Sequence, residues 1–425
     1  MNDSNNNVDS EKSPLGDLGV DSNNNLDTFP PFSRLGGDGW GVKVNAHLHT
    51  PYSFSAFESI GQALDLALAE GVQVVGINDF NTTEGYNEWA FECRKRKLFP
   101  LFNIEFISLN KQDQDNGIRV NDPNNPGRTY LSGKGLSFPF QLDDPWLSKM
   151  NAVREESNRH VQKMSAKLNE LLRETEAPFI LSFEDVKTTF TKGNIRERHL
   201  AKALRIKAAE YNPTPAGQKK LYEKIFGGKP LKSAVDDPAA LENEIRGNLL
   251  KAGGAAFVPE QPEAFLDMED VRQIILHAGG IPTYPFLADF GQREFTGFEN
   301  NLEMAVRILK ERGFASVEFI PSRNSIEVLE EYARYCWQQG LIVTFGTEHN
   351  TPSLDPLEVL VQKNHPLSAE MQEINYKGTC VIAAHQHRVE QGKEGYLNRY
   401  GKPDWNRIDE WIRQGDSLIQ SLIHS

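Results

Sequence analysis

The chain has 425 residues and carries 46 basic against 59 acidic side chains, a formal charge of −13. That balance argues against non-specific binding to nucleic acid or anionic membranes, and no apolar run reaches the roughly 18 residues of a spanning helix. Three cysteines, Cys93, Cys336 and Cys380, are too few and too scattered for a disulfide framework or a Cys-type zinc site. With a polar N-terminus that lacks signal-peptide character, the expected compartment is the cytoplasm.

Residues 1–38 are rich in Asn, Asp and Ser and hold too little apolar area to offset their ordering entropy, so a disordered tail is expected. Residues 42–50 then alternate, with Val42, Val44, Ala46 and Leu48 on one face and Lys43, Asn45, His47 and His49 on the other. This is the period of a strand, and it sends two imidazoles off one face, close enough to share a metal ion. Ser59 or a neighbour caps a helix over 60–70, which Gly71 closes. A buried strand over 72–77 runs into Asn78-Asp79-Phe80-Asn81-Thr82-Thr83, where Asp79 suits either a helix cap or proton transfer. After another helix, the apolar run 99–104 ends at Glu105, an ionised group that is costly there unless paired or metal-bound. Strands alternating with helices, with polar residues just past the strand ends, predict a parallel α/β fold with its site at those ends.

Residues 111–139 are rich in Asp, Asn, Gly and Pro, and 128–136 are expected to fold over the barrel mouth as a lid. A long amphipathic helix follows over 145–176, and 213–270 form a second helical region, so insertions are placed at about 110–190 and 213–270. His277 precedes Gly279-Gly280 at a helix end, where a structural role is expected. Arg128, Lys134, Arg198, Arg205 and Arg323 are candidate anion binders, the planar fork of Arg matching phosphate, and Arg323 is the first choice because it follows the strand over 316–320 at its expected site end. The apolar strand 341–345 leads to Gly346-Thr347-Glu348-His349-Asn350, where Glu348 and His349 can face one site only if the strand has ended. Residues 353–425 read as a helical extension, with His385 and His387 on its surface.

Together these pieces resemble the PHP (polymerase and histidinol phosphatase) family. The resemblance rests on His47-Leu48-His49-Thr50, Asn78-Asp79-Phe80-Asn81-Thr82, Asn103-Ile104-Glu105, residues 196–204 around His199, His277-Ala278-Gly279-Gly280-Ile281-Pro282 and Gly346-Thr347-Glu348-His349-Asn350, in that order over about 40–352. It implies a distorted (β/α)7 barrel over 39–352 that hydrolyses phosphate esters with bound metal. It also implies a ligand set drawn from His47, His49, Glu105, His199, Glu348 and His349. Without the resemblance, His199 in its charged helix start reads as a solvated face. The chain departs from the family at Phe80 and Phe286, where ligands usually stand, and at Ser53-Phe54-Ser55-Ala56-Phe57, where an acid or His is usual. A phenyl ring cannot bind such a cation, so one or two ions of Zn, Mn or Fe are expected, not three.

The expected activity is a metal-dependent phosphoesterase acting on a small phosphorylated compound through metal-activated water, with Asp79 and Arg323 assisting. Two other classes fit the same residues: a PHP-like binding or regulatory protein with a degenerate site, and a carbon–nitrogen hydrolase on a similar barrel. Neither nucleic acid nor membrane is expected as a partner.

Overall fold

The computed structural model describes residues 41–290 and 294–425, so the expected 1–38 tail lies outside the described residues. Seven strands form one sheet in sequence order: β1 (Lys43–Leu48), β2 (Val72–Phe80), β3 (Phe99–Leu109), β4 (Arg128–Lys134), β5 (Ile281–Phe286), β6 (Ser316–Phe319) and β7 (Ile342–Phe345). All neighbours are parallel except β4, which runs antiparallel to both β3 and β5. The sheet curls until β7 meets β1. At the seam Glu348 N–H donates to His47 C=O (3.0 Å) and His49 N–H donates to Glu348 C=O (2.9 Å). Gly346 permits this approach, since a Cβ there would lie 2.3 Å from the His47 Cβ. The α/β barrel expected from the alternation is therefore present, with helices such as Ile60–Ala69 and Tyr86–Arg96 on its outside. Ser59 caps the first of these, accepting from Gln62 N–H, and Gly71 takes the left-handed conformation just past its end.

The segment expected to be a lid is strand β4. Its inward positions are Tyr130, Ser132 and Lys134, polar residues that read as loop until their partners inside the barrel are known. Between β4 and β5 stand helices from Trp146–Glu174 to Met268–His277. Residues 161–256 of this region bury a core of their own around Leu168, Leu172, Leu204, Tyr222 and Leu241.

The C-terminal helices close the other end of the barrel. Helix Ala369–Glu390 packs with helix Ile408–Ile423 under the starts of the strands, around Val44, Val74, Leu101 and Ile342. Its Asn375 amide accepts from Phe345 N–H of β7 (2.8 Å) and lies 3.5 Å from Val44 C=O of β1, spanning the seam where the ladder is missing. Because this helix is buried on nearly every side, His385 and His387 are interior, not surface, residues. His385 Nε2 lies 2.6 Å from Gly279 C=O. No helix among the described residues is long and apolar enough to cross a membrane.

Glu390 ends the same helix with both carboxyl oxygens buried and unpartnered, and burial pushes its carboxyl up to about 8. The folded chain thus holds a proton that the unfolded chain releases near pH 4.5. Stability should fall as pH rises through this window and level off above about 8. Glu390→Gln should flatten that loss and raise stability at pH 9 by roughly 2–4 kcal/mol, read from urea unfolding at pH 5 and 9. An unchanged pH slope would count against this account.

Candidate metal centre

Three buried side chains converge at the strand ends. His47 is the penultimate residue of β1, His49 stands one residue past the end of that strand on the same inward face, and Glu105 stands on β3 opposite Phe80 of β2. His47 Nε2 and His49 Nε2 are 3.5 Å apart, and Glu105 Oε2 lies 3.4 Å from the first and 3.3 Å from the second. Ligands at about 2.0–2.1 Å from a tetrahedral zinc-sized ion are separated by about 3.3–3.4 Å. The three atoms therefore form one face of such a tetrahedron. Glu105 Oε2 is buried without a well-directed hydrogen bond, an arrangement a cation at the centre of that face would satisfy. Among the described residues this is the one group of three or more such side chains whose donor atoms cluster within 4.8 Å.

A second layer fixes the ligands. His47 Nδ1 is 3.0 Å from Glu318 Oε2 on β6, which leaves Nε2 as the lone-pair nitrogen toward the centre. Glu318 in turn accepts from Lys134 Nζ (2.6 Å) and Ser132 Oγ (2.5 Å), all within the barrel. Burial works against protonation of His47, but Glu318 and Glu105 draw a second proton onto the imidazole and lift it to about 9, a proton that a metal ion at Nε2 would displace. Burial likewise opposes ionisation of Glu318, yet Lys134 and His47 keep its carboxyl well below the usual range. Glu318 was not legible as a site residue from sequence. The one signal is an acid at an inward position of a strand whose neighbours, Val317 and Phe319, are apolar.

Asp79 lies on the Nδ1 side of His49, at 3.9 Å, while His49 Nε2 faces the triad. It accepts from Thr50 N–H (2.7 Å), Thr50 Oγ1 (2.5 Å) and Ser53 Oγ (2.6 Å), and Ser53 Oγ also lies 3.4 Å from His49 Nδ1. Burial pushes the Asp79 carboxyl up, against the pull of His49 and these donors. This geometry makes Asp79 a support for the His49 turn, in place of the proton acceptor expected beside the metal.

The other expected ligands stay apart from the triad. His349 has both ring nitrogens engaged, Nδ1 with Thr347 Oγ1 and Nε2 with Asp355 C=O, each at 2.7 Å. His199 Nδ1 accepts from Arg196 N–H (2.9 Å), and burial pulls its imidazole down to about 4. Glu348 turns to Arg323, whose Nη1 is 2.7 Å from Oε1 while the second terminal N–H group meets Oε2. The strand has ended here, since Glu348 and His349 both have left-handed backbone (φ 63° and 56°). The fork expected to clamp a phosphate is thus already occupied by Glu348. Phe80 stacks on His49 with ring centroids 5.3 Å apart, and Phe54 covers the same imidazole at 4.9 Å. Phe286 lies in the core against Phe319.

Two guanidinium groups at the start of helix Glu197–Tyr211 lie over this aromatic layer. Arg196 is 5.4 Å from the Phe80 ring and 5.8 Å from Phe54, and Arg198 is 5.4 Å from Phe54. No ion pair is formed by either among the described residues. Burial, with Arg246 nearby, pulls the Arg198 guanidinium down to about 10. Of the other expected anion binders, Arg128 and Arg205 pair with Glu260 and Glu242 (2.7 and 2.8 Å), and Lys134 is committed to Glu318.

No protein-family model and no curated protein matches this chain. Two solved structures share its fold at 16% identity. One is a candidate metal-dependent phosphoesterase from Bifidobacterium adolescentis (TM-score 0.52, covering 79% of this chain and 96% of that one). The other is an amidohydrolase from Chromobacterium violaceum, solved with sulfate and no metal (TM-score 0.51, 79% and 97%). At this identity the likeness establishes the α/β barrel fold alone.

Proposed function

We propose that this chain is a metal-dependent hydrolase of the PHP type that cleaves esters of a small phosphorylated compound. The observation that carries the reading is the convergence of His47 Nε2, His49 Nε2 and the unpartnered Glu105 Oε2 at metal-ligand spacing. These three residues would hold one divalent ion of the Zn, Mn or Fe class, which when bound supplies a Lewis acid and a water of lowered pKa. Glu318 and Lys134 keep His47 in the tautomer that presents Nε2, and Asp79, through Thr50 and Ser53, holds the turn carrying His49. Arg196 and Arg198 offer two guanidinium groups outside any close ion pair, with the Glu197 carboxylate in the field of both, and are matched to a phosphate dianion.

The names of the two structural neighbours, a candidate phosphoesterase and an amidohydrolase, leave both ester and amide cleavage to be compared by assay. The purified chain, stripped and reloaded with Zn or Mn, is assayed on panels of phosphate monoesters and N-acyl amides. Release of phosphate that disappears on chelation and returns with metal is expected. Arg198→Ala should weaken inhibition by inorganic phosphate by roughly 10–100-fold, the 1.5–3 kcal/mol of a charge-assisted hydrogen bond. Amide cleavage without phosphate release would replace this reading with the carbon–nitrogen hydrolase. Tight metal binding with no turnover of either panel would support a binding protein, the class that Phe80 and Phe286 favour.

A further inference from the structure

We infer that Arg323 is a built-in cation that takes up the Glu348 carboxylate beside the His47, His49 and Glu105 triad, so that the centre holds one divalent ion only. The inference rests on the metal reading above and adds its stoichiometry. Glu348 sits beside the triad, because its backbone bonds to both His47 and His49 across the seam. Its carboxylate is nevertheless spent: both oxygens face the Arg323 fork, and Asn350 Nδ2 adds a contact at 2.5 Å. The Arg323 charge also acts on Glu105, the acid of the triad. One guanidinium therefore neutralises the carboxylate that a second ion would need and lies in the field of the other. Two other candidate positions offer no donor there. His349 is held through both nitrogens, and Phe80 presents a ring face to His49.

The test is manganese stoichiometry, read by elemental analysis and by electron paramagnetic resonance of the full chain at increasing Mn(II). The wild-type chain is expected to bind one ion and give the spectrum of isolated Mn(II). Arg323→Ala frees Glu348 and should admit a second, weaker ion, seen as spin coupling between ions about 3.5–4 Å apart. Arg323→Lys and Glu348→Gln, which keep a cation or remove the freed ligand, should stay at one. Two ions on the wild-type chain, or an Arg323→Ala chain that is folded by circular dichroism yet stays at one ion in millimolar Mn(II), would overturn the inference alone. No ion on any of these chains would overturn the metal reading and the inference with it.

Discussion

Glu105→Ala is expected to strip the chain of its metal. It removes the carboxylate that closes the triangle with His47 Nε2 and His49 Nε2, at 3.4 and 3.3 Å. Two imidazoles alone leave a zinc-type centre one protein ligand short of the three usual in catalytic sites. Loss of an outer-layer partner already costs about 10–100-fold in affinity, so loss of a ligand should cost more. Metal content should fall from about one ion per chain to none after dialysis, and any hydrolysis should fall with it. The informative contrast is with His199→Ala and His349→Ala, two positions that the sequence offers as ligands. Both imidazoles are committed to other partners, to Arg196 N–H in one case and to Thr347 and Asp355 in the other. These variants should therefore keep their metal. A Glu105→Ala chain that retains its ion while His349→Ala loses it would refute the assigned triad.

The second large effect lies one layer deeper. Lys134 and Glu318 are both fully buried, 2.6 Å apart, and Glu318 reaches on to His47 Nδ1. Removing one partner of a buried ion pair leaves an uncompensated charge, at about 3–5 kcal/mol, whereas replacing both by apolar groups is often neutral. Lys134→Met should accordingly destabilise the chain by about that amount, read as a lower urea midpoint. Lys134→Met/Glu318→Leu should recover most of the stability. It should not recover metal affinity, because His47 loses the partner that sets its tautomer, and a deficit of about 10–100-fold is expected. Separate readouts for stability and affinity distinguish a positioning role from a merely structural one. A double variant with wild-type affinity would show that Glu318 does not position His47.

How much of this was legible depended on whether a residue's role is local. Alternation over 42–50 placed His47 and His49 together on one face, and the barrel puts both inward because Val44, Ala46 and Leu48 fill the outer side. Glu105 was legible as a buried acid at the end of an apolar run. Glu318 and Lys134 were not, since each is a single charge in a short strand whose only justification is the other, 184 positions away in the chain and adjacent in the barrel. Arg323 was legible as a strand-end cation, but its engagement with Glu348 depends on two loops meeting across the barrel rim. His385 and His387 were misplaced because a helix buried on nearly all sides shows no polar face, and polar residues in it then look like surface.

By itself, therefore, the sequence determined the period of each element, the polar strand ends and the pair of imidazoles. Those features follow from side-chain alternation and from the cost of burying an acid alone, both of which act over a few neighbouring residues. Only the tertiary structure decided which candidates share a centre. A metal face requires atoms about 3.3 Å apart, and such spacing is set by strand register, by closure of β1 on β7 and by competing partners that no local pattern reveals.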